Sequence, residues 1–330
     1  MLARYFPMLK TKAGEITALD NLLPVTKDRV QPVFHVTTTV APRFAPSLGA
    51  AWVNRVLAVD GSFSFNTGGS TAPFNALIRA LRGYNVRAIP SVSISADPRL
   101  VAAAAAFINA DGMVVRATLN ELPQVAAWIQ GHGWVPAAID LIIDVGHVAA
   151  MPGALLAPVI SAAIAQNIGP ASPYRSVVLA AAAAPKDHGD LPRGRSDVPR
   201  YDWTLWQLVA AQVPFQLDYA DYCAGHPDLT EPPGVAMASA TVSARYTGPT
   251  HWLVIKGRPI RGVQGIPMDQ QYRSHAGHYV ADPQFGHIPG CWGDQRIGQI
   301  HARATGPGNR QSWSEIAVNR HIEVVVNQLP

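Results

Sequence analysis

Two aspartates close apolar runs where they could do chemistry. Asp60 ends Val-Leu-Ala-Val-Asp, and Asp144 ends Leu-Ile-Ile-Asp. A carboxylate placed after such a run is desolvated unless it faces an opening or an ion partner. Paired carboxylates of this kind serve general acid–base or metal-assisted chemistry. Arg116 ends another apolar run and is a candidate ion partner for Asp144. His147 lies shortly beyond Asp144. Asp60, Asp144, Arg116 and His147 therefore form the candidate catalytic set, if the protein is an enzyme. The competing reading makes these acids helix caps or ion pairs that close the fold. It stands level for Asp60 and Asp144, and it is preferred for Asp218, which with Asp221 follows a later run.

Other motifs carry less. Asn66-Thr67-Gly68-Gly69 is a Gly-rich loop of the kind that cradles an anion at a helix start, although such a loop is more often a plain turn. His275 and His278 have metal-pair spacing but no acidic partner at a fixed offset, so they read as a solvated loop and no metal site is assigned. Cys223 and Cys291 are too few for a disulfide framework or a Cys-based zinc site. GxxxxGK[ST], GxGxxG after a strand, HExxH and GxSxG are all absent. No cofactor is assigned.

The elements that must position these residues alternate. Short β-branched runs occur at residues 32–36, 55–59, 86–93, 113–116, 139–145 and 176–180. Ala/Leu-rich segments lie between them at 71–82, 98–109, 122–131 and 153–166. Apolar strands separated by helical segments indicate a parallel sheet covered by helices. Residues 215–217 supply a seventh strand, and an eighth comes from 240–246 or 252–256. Eight units would close a (β/α)₈ TIM-barrel-like fold, whose ligands bind at the C-terminal ends of the strands. Residues 185–199 read as a loop, and Gly248-Pro249 as the turn of a hairpin. Residues 257–308 show little periodicity. A final helix spans 312–328, with Ser312 as N-cap and Glu315 completing a capping box. The chain, 1–330, reads as one barrel domain with 238–330 as a C-terminal elaboration.

Composition agrees with a globular chain. Of 330 residues, 48% are hydrophobic and only 15% charged, which excludes disorder, coiled coils and collagen. The 26 basic residues barely exceed the 22 acidic ones, a weak hint of anionic partners. No apolar stretch reaches membrane-helix length, so a cytoplasmic, non-membrane protein is expected.

The opening run from Tyr5 to Glu15 (YFPMLKTKAGE), followed by Ala18-Leu19, resembles the beginning of the beta protein family, named after a phage T4 protein. The likeness continues at Asp140–Asp144, Asp221-Tyr222, Ala244–Thr247, Trp252–Gly257 and Cys291–Asp294 with Ile297. It ends with Gly308-Asn309, Trp313 and Asn319–Ile322 before Val325. After Asn319 the family usually shows two histidines, whereas this chain has Arg320-His321. The resemblance implies a barrel protein of bacteria and phages, found in mobile and defence-related gene neighbourhoods. It implies no established mechanism.

Among the matching positions, Lys10, Lys12, Arg245, Lys256, Asp294, Asn309, Trp313 and His321 combine cations, an amide and an aromatic. Such a set suits an anionic, nucleotide-like ligand, with Trp as a stacking platform. A buried polar network tying the C-terminal region to the barrel is the slightly favoured alternative. Arg245, Lys256, Asp294 and His321 are expected to gather in one pocket near the barrel mouth.

Two functions compete. One is a binding component in phage–host conflict that recognises an anionic ligand or a protein, such as a neighbouring gene's product. It rests on the absent catalytic motifs and on 257–308 as a recognition surface. The other is a hydrolase acting on a phosphorylated or nucleotide-like substrate at the barrel mouth.

Overall fold

In the computed structural model, which describes residues 3–37, 40–148, 153–186, 188–223, 225–230 and 241–330, eight parallel strands close into a barrel. The strands run β1 (Tyr5–Lys10), β2 (Val33–His35), β3 (Val56–Asp60), β4 (Arg87–Ser93), β5 (Met113–Thr118), β6 (Ile139–His147) and β7 (Ser176–Ala182). The next strand, β8 (Gly194–Pro199), leaves the barrel, and β9 (Leu217–Asp221) closes it by pairing with both β7 and β1. Each of the first seven is followed by a helix before the next barrel strand, which gives the (β/α)₈ arrangement expected. Local chemistry sets the helix ends. Asp97 accepts the Arg99 amide at 2.8 Å ahead of Pro98, for example, and helices stop at Gly83 and Gly131. No helix among the described residues is long and apolar enough to cross a membrane.

The period of two along each strand sorts the barrel interior into layers. Phe6, Met8, Val33, Ala58, Ile89, Val114, Ile142, Val178, Ala180 and Ala220 fill the middle. One step toward the C-terminal end, the same parity brings in Lys10, His35, Asp60, Ser91, Arg116, Asp144 and Tyr222. One step the other way it brings in Arg4, Gln31, Asp140, Ser176 and Asp218. The alternate residues, among them Tyr5, Leu9, Phe34, Leu57, Val59 and Tyr219, pack outward against the helices.

After the barrel, β10 (Ser243–Thr247) and β11 (His251–Lys256) form the hairpin expected, and β8 pairs with β11 in a three-stranded antiparallel sheet. Trp252 and Val254 face the barrel cluster, whereas Ala244, Tyr246, Leu253 and Ile255 face helices Met268–Val280, Trp292–His301 and Arg310–Gln328. The last helix carries Val318, Ile322 and Val325 back into the barrel cluster.

Several expectations are corrected. The eighth barrel strand is Tyr5–Lys10, not 240–246 or 252–256, and Ala240 lies outside the described residues. Pro7 and the residues Met8, Leu9 and Lys10, none of them β-branched, hid a strand that the barrel accepts, because its apolar parity matches the lumen. The seventh strand of the sequence reading lies at Leu217–Asp221, so Asp218 and Asp221 belong to the strand and do not follow it. Residues 194–199, read as loop, form an edge strand, where a terminal Pro199 is tolerated. Segment 257–308 contains two helices held by Tyr272, Ala276, Tyr279, Ile297 and Ile300. His275 sits on the first of them, buried, with Nε2 3.1 Å from the Val242 carbonyl. The Gly-rich loop is the last turn of helix Ser62–Gly68, closed by Gly69 at φ +66°. The final helix is capped by Asn309, which accepts the Ser312 amide at 3.0 Å, so Ser312 is the reciprocal partner and Glu315 takes no part.

Candidate functional site

The upper polar layer of the lumen gathers side chains from separate strands. Asp60 accepts the Ser62 amide at 2.9 Å, the Ser91 hydroxyl at 3.1 Å and Arg116 Nη1 at 3.1 Å. Asp144 accepts the Tyr222 hydroxyl at 2.6 Å and the Gly146 amide at 2.9 Å. The His35 ring lies nearly parallel to the Tyr222 ring, with centroids 6.1 Å apart. Lys10, at the end of β1, donates to the Leu229 carbonyl at 3.2 Å.

The ion pair expected between Arg116 and Asp144 is therefore Arg116–Asp60. Register explains the change. On β5 it is Thr118 that pairs with Asp144, while Arg116 pairs with Ile142, two residues earlier on β6. From there the guanidinium reaches β3. Burial alone would raise the Asp60 carboxyl, but Arg116 and the Ser62 amide outweigh it and hold Asp60 below the usual carboxylate range. Burial opposes the charge on Arg116 too, and Asp60 more than restores it. Burial pushes Tyr222 well above a normal phenol, and Asp144 adds to the shift, so the hydroxyl stays protonated and donates.

His35 behaves differently. Burial lowers its pKa to about 4 despite Asp60, so the ring is neutral at neutral pH. Its Nε2 and the Arg116 Nε are buried without a hydrogen-bond partner among the described residues. A buried polar atom left open in this way costs about 1–3 kcal/mol, so each needs an explanation.

A pocket of about 400 Å³ opens beside this layer, lined by Asp144, His147 and Tyr222 and, on its apolar side, by Val145, Leu156 and Ile160. A mostly apolar pocket with a few convergent polar groups is the usual form of a small-molecule site. His147 is at its edge, with Nε2 3.2 Å from the Ala184 carbonyl and its ring 4.5 Å from that of His226. The pairing of β6 with β7 shifts register between Asp144 and His147, an irregularity of the kind found beside ligand sites.

This closed parallel barrel, reached from both ends of the chain, sits within a family match that covers residues 5–327 and bears the description Beta protein. The chain belongs to the Beta protein family. No curated protein matches it.

In this Beta protein the eight residues named as a ligand set do not share one place. Lys10 and Lys12 line a pocket beside the mouth. Arg245 Nε donates to His188 at 2.8 Å, and Lys256 donates to the Gly189 and Leu191 carbonyls at 2.6 and 2.8 Å. Asp294 lies on the opposite side of the small sheet, accepting Arg320 Nη1 at 2.6 Å while Arg320 stacks over Tyr246. Asn309 is the helix cap. Trp313 is buried against Tyr272, with centroids 5.0 Å apart. The expected gathering of Arg245, Lys256, Asp294 and His321 is thus corrected, because strand alternation turns Arg245 and Lys256 away from Asp294.

His321 belongs to a buried junction between barrel and last helix. Its Nε2 is 2.7 Å from Asp221 Oδ2, and its Nδ1 is 3.2 Å from the Thr247 hydroxyl. Asp221 also accepts from Tyr5, from Tyr219 at 2.9 Å and from the Cys223 amide at 2.8 Å. Asp221, Cys223 and His321 are the one group among the described residues whose donor atoms lie close enough together to hold a metal ion. Each Asp221 oxygen already accepts two hydrogen bonds, which suits a tie between parts of the fold.

Sequence reasoning missed His35, Tyr222 and Ser91. Their signal was parity: each follows an apolar lumen residue by two positions along the chain.

Proposed function

We propose that the barrel mouth is a small-molecule site that carries out acid–base chemistry, most simply hydrolysis, on a substrate with an anionic, phosphoryl-type group. The observation that carries this reading is the neutral, buried His35, whose open Nε2 lies in the layer that holds Asp60, Arg116, Asp144 and Tyr222. A neutral imidazole takes a proton from an attacking water, and the fixed charge of Arg116 meets an anion. Tyr222, whose one proton goes to Asp144, holds that carboxylate in place and offers its oxygen as an acceptor to a water or substrate hydroxyl. The adjoining apolar pocket takes the body of the substrate.

The test is a phosphatase screen with p-nitrophenyl phosphate and nucleoside monophosphates. His35→Gln and Asp144→Asn should each lower the rate 10²–10⁴-fold while the melting temperature holds. No phosphate release from any member, with no melt shift on adding them, would refute the reading.

The interaction reading, a component of phage–host conflict with a protein partner, loses 257–308 as an irregular recognition surface. It keeps one observation: an open groove lined by Ile94, Ala102, Ala105, Trp128 and His132. Pulldown with the products of neighbouring genes tests it.

A further inference from the structure

We propose that Glu15, together with Lys10 and Lys12, forms a phosphoryl-binding subsite beside the barrel mouth, in which Glu15 shares a proton with the bound oxyanion. The proposal rests on the phosphoryl-type substrate argued above and assigns that group a place.

Three residues of one strand-to-helix connection build the subsite. Lys10 ends β1, Lys12 follows it, and Glu15 lies in the first turn of helix Ala13–Asp20. Connections at the C-terminal ends of barrel strands are where such folds bind ligands. All three line a pocket of about 180 Å³, with Tyr222, His226 and Ser314 across from them. That is about six waters' worth of liquid volume, enough for a phosphoryl group and part of its ester. Tyr222 lines this pocket and the 400 Å³ pocket alike, so one substrate can span both.

Glu15 Oε2 is buried with no hydrogen-bond partner among the described residues. A carboxyl oxygen withdrawn from water and left open is unfavourable for a purely structural role. A hydrogen phosphate supplies the missing proton donor, or accepts from Glu15 when Glu15 holds the proton. Burial raises the Glu15 carboxyl to about 7 against the pull of Lys12 and Lys10, so both forms are populated at neutrality. The groups facing it are Lys10 and Lys12 from its own connection, and Cys223 and His226 from the segment after β9. Glu315 of the last helix packs against the neighbouring Gly14.

Sulfate is the probe, because it has phosphate's shape and no proton to exchange near neutrality. Calorimetry of the full chain at pH 7, in two buffers of different ionisation heat, should show saturable sulfate binding with uptake of about half a proton. Glu15→Gln should keep binding within about threefold and abolish the uptake. Lys10→Met should weaken binding at least tenfold, and Lys12→Met, at an exposed position, provides the same test if the first variant misfolds. Absence of sulfate binding overturns the proposal, as does proton uptake that survives Glu15→Gln. Sulfate binding lost in Arg116→Leu but indifferent to both lysines would put the anion in the mouth and overturn it as well. Asp144→Asn separates the two proposals: it should abolish turnover and leave sulfate binding intact.

Discussion

At the N-terminal end of the barrel lumen, Asp140 accepts hydrogen bonds from Arg4, Gln31, Ser176 and twice from Arg175, at 2.6–3.2 Å. At the C-terminal end, Asp60 holds Arg116 and two serines, but Arg116 Nε and His35 Nε2 find no partner among the described residues. Both ends centre on an aspartate that gathers arginine and serine partners from neighbouring elements of the barrel. One end is closed by its own partners, and the other still has bonds to make. In a (β/α)₈ barrel the first pattern belongs to stability and the second to ligands.

Removing the closed end's hub should have the largest effect. Asp140→Ala takes the shared acceptor from Gln31, Ser176 and the half-buried Arg4 and Arg175, and should cost about 3–5 kcal/mol in urea denaturation. The cost would erase the contrast if it fell below that of the matching change at Asp60.

Acid should separate the ends next. The folded-state pKa of His35 is lowered to about 4, so its contribution is complete above the unfolded value near 6.5. It is lost as pH falls from there toward 4, because only the unfolded chain takes up the proton. The loss is on the order of 3 kcal/mol, and His35→Phe should flatten that part of the stability curve. Asp60 and Asp140, both held low, lose their contributions only at more acid pH.

A double-mutant cycle then tests the upper pairing. Asp60→Leu and Arg116→Leu should couple by about 1–3 kcal/mol, whereas Asp144→Leu and Arg116→Leu should add within about 0.5 kcal/mol. Coupling of the second pair would restore the pairing suggested by the sequence.

The smallest effect is the most diagnostic. At neutral pH, His35→Phe removes an unsatisfied atom and should leave stability within about 1 kcal/mol of the parent, or raise it, while activity disappears.

How much of this was legible follows from what strands announce. Asp60 and Asp144 were visible because each ends an apolar run, and the barrel helices were visible as Ala/Leu-rich segments between such runs. The partner of Arg116 was not, because which layer of the lumen a side chain occupies depends on stagger between strands. His321 was legible as a member of a buried polar network tying the C-terminal region to the barrel, but its partners were not, since Tyr5 and Asp221 arrive from distant elements. Segment 257–308 hid its helices because Gly and His dilute the periodicity, and only one side of each meets the apolar cluster.

The pairing of β1 with β9 has a consequence for the order of synthesis. Strand β1 gains its second neighbour only when Asp221 emerges, about 10–40 s after it at ordinary translation rates. Until then Tyr5–Lys10 presents one bare edge, and the Glu323 carboxylate that takes the Leu23 amide and Thr26 hydroxyl arrives later still. A nascent chain of this kind exposes an unpaired strand throughout that interval, which makes chains stalled within it the species that most need a chaperone.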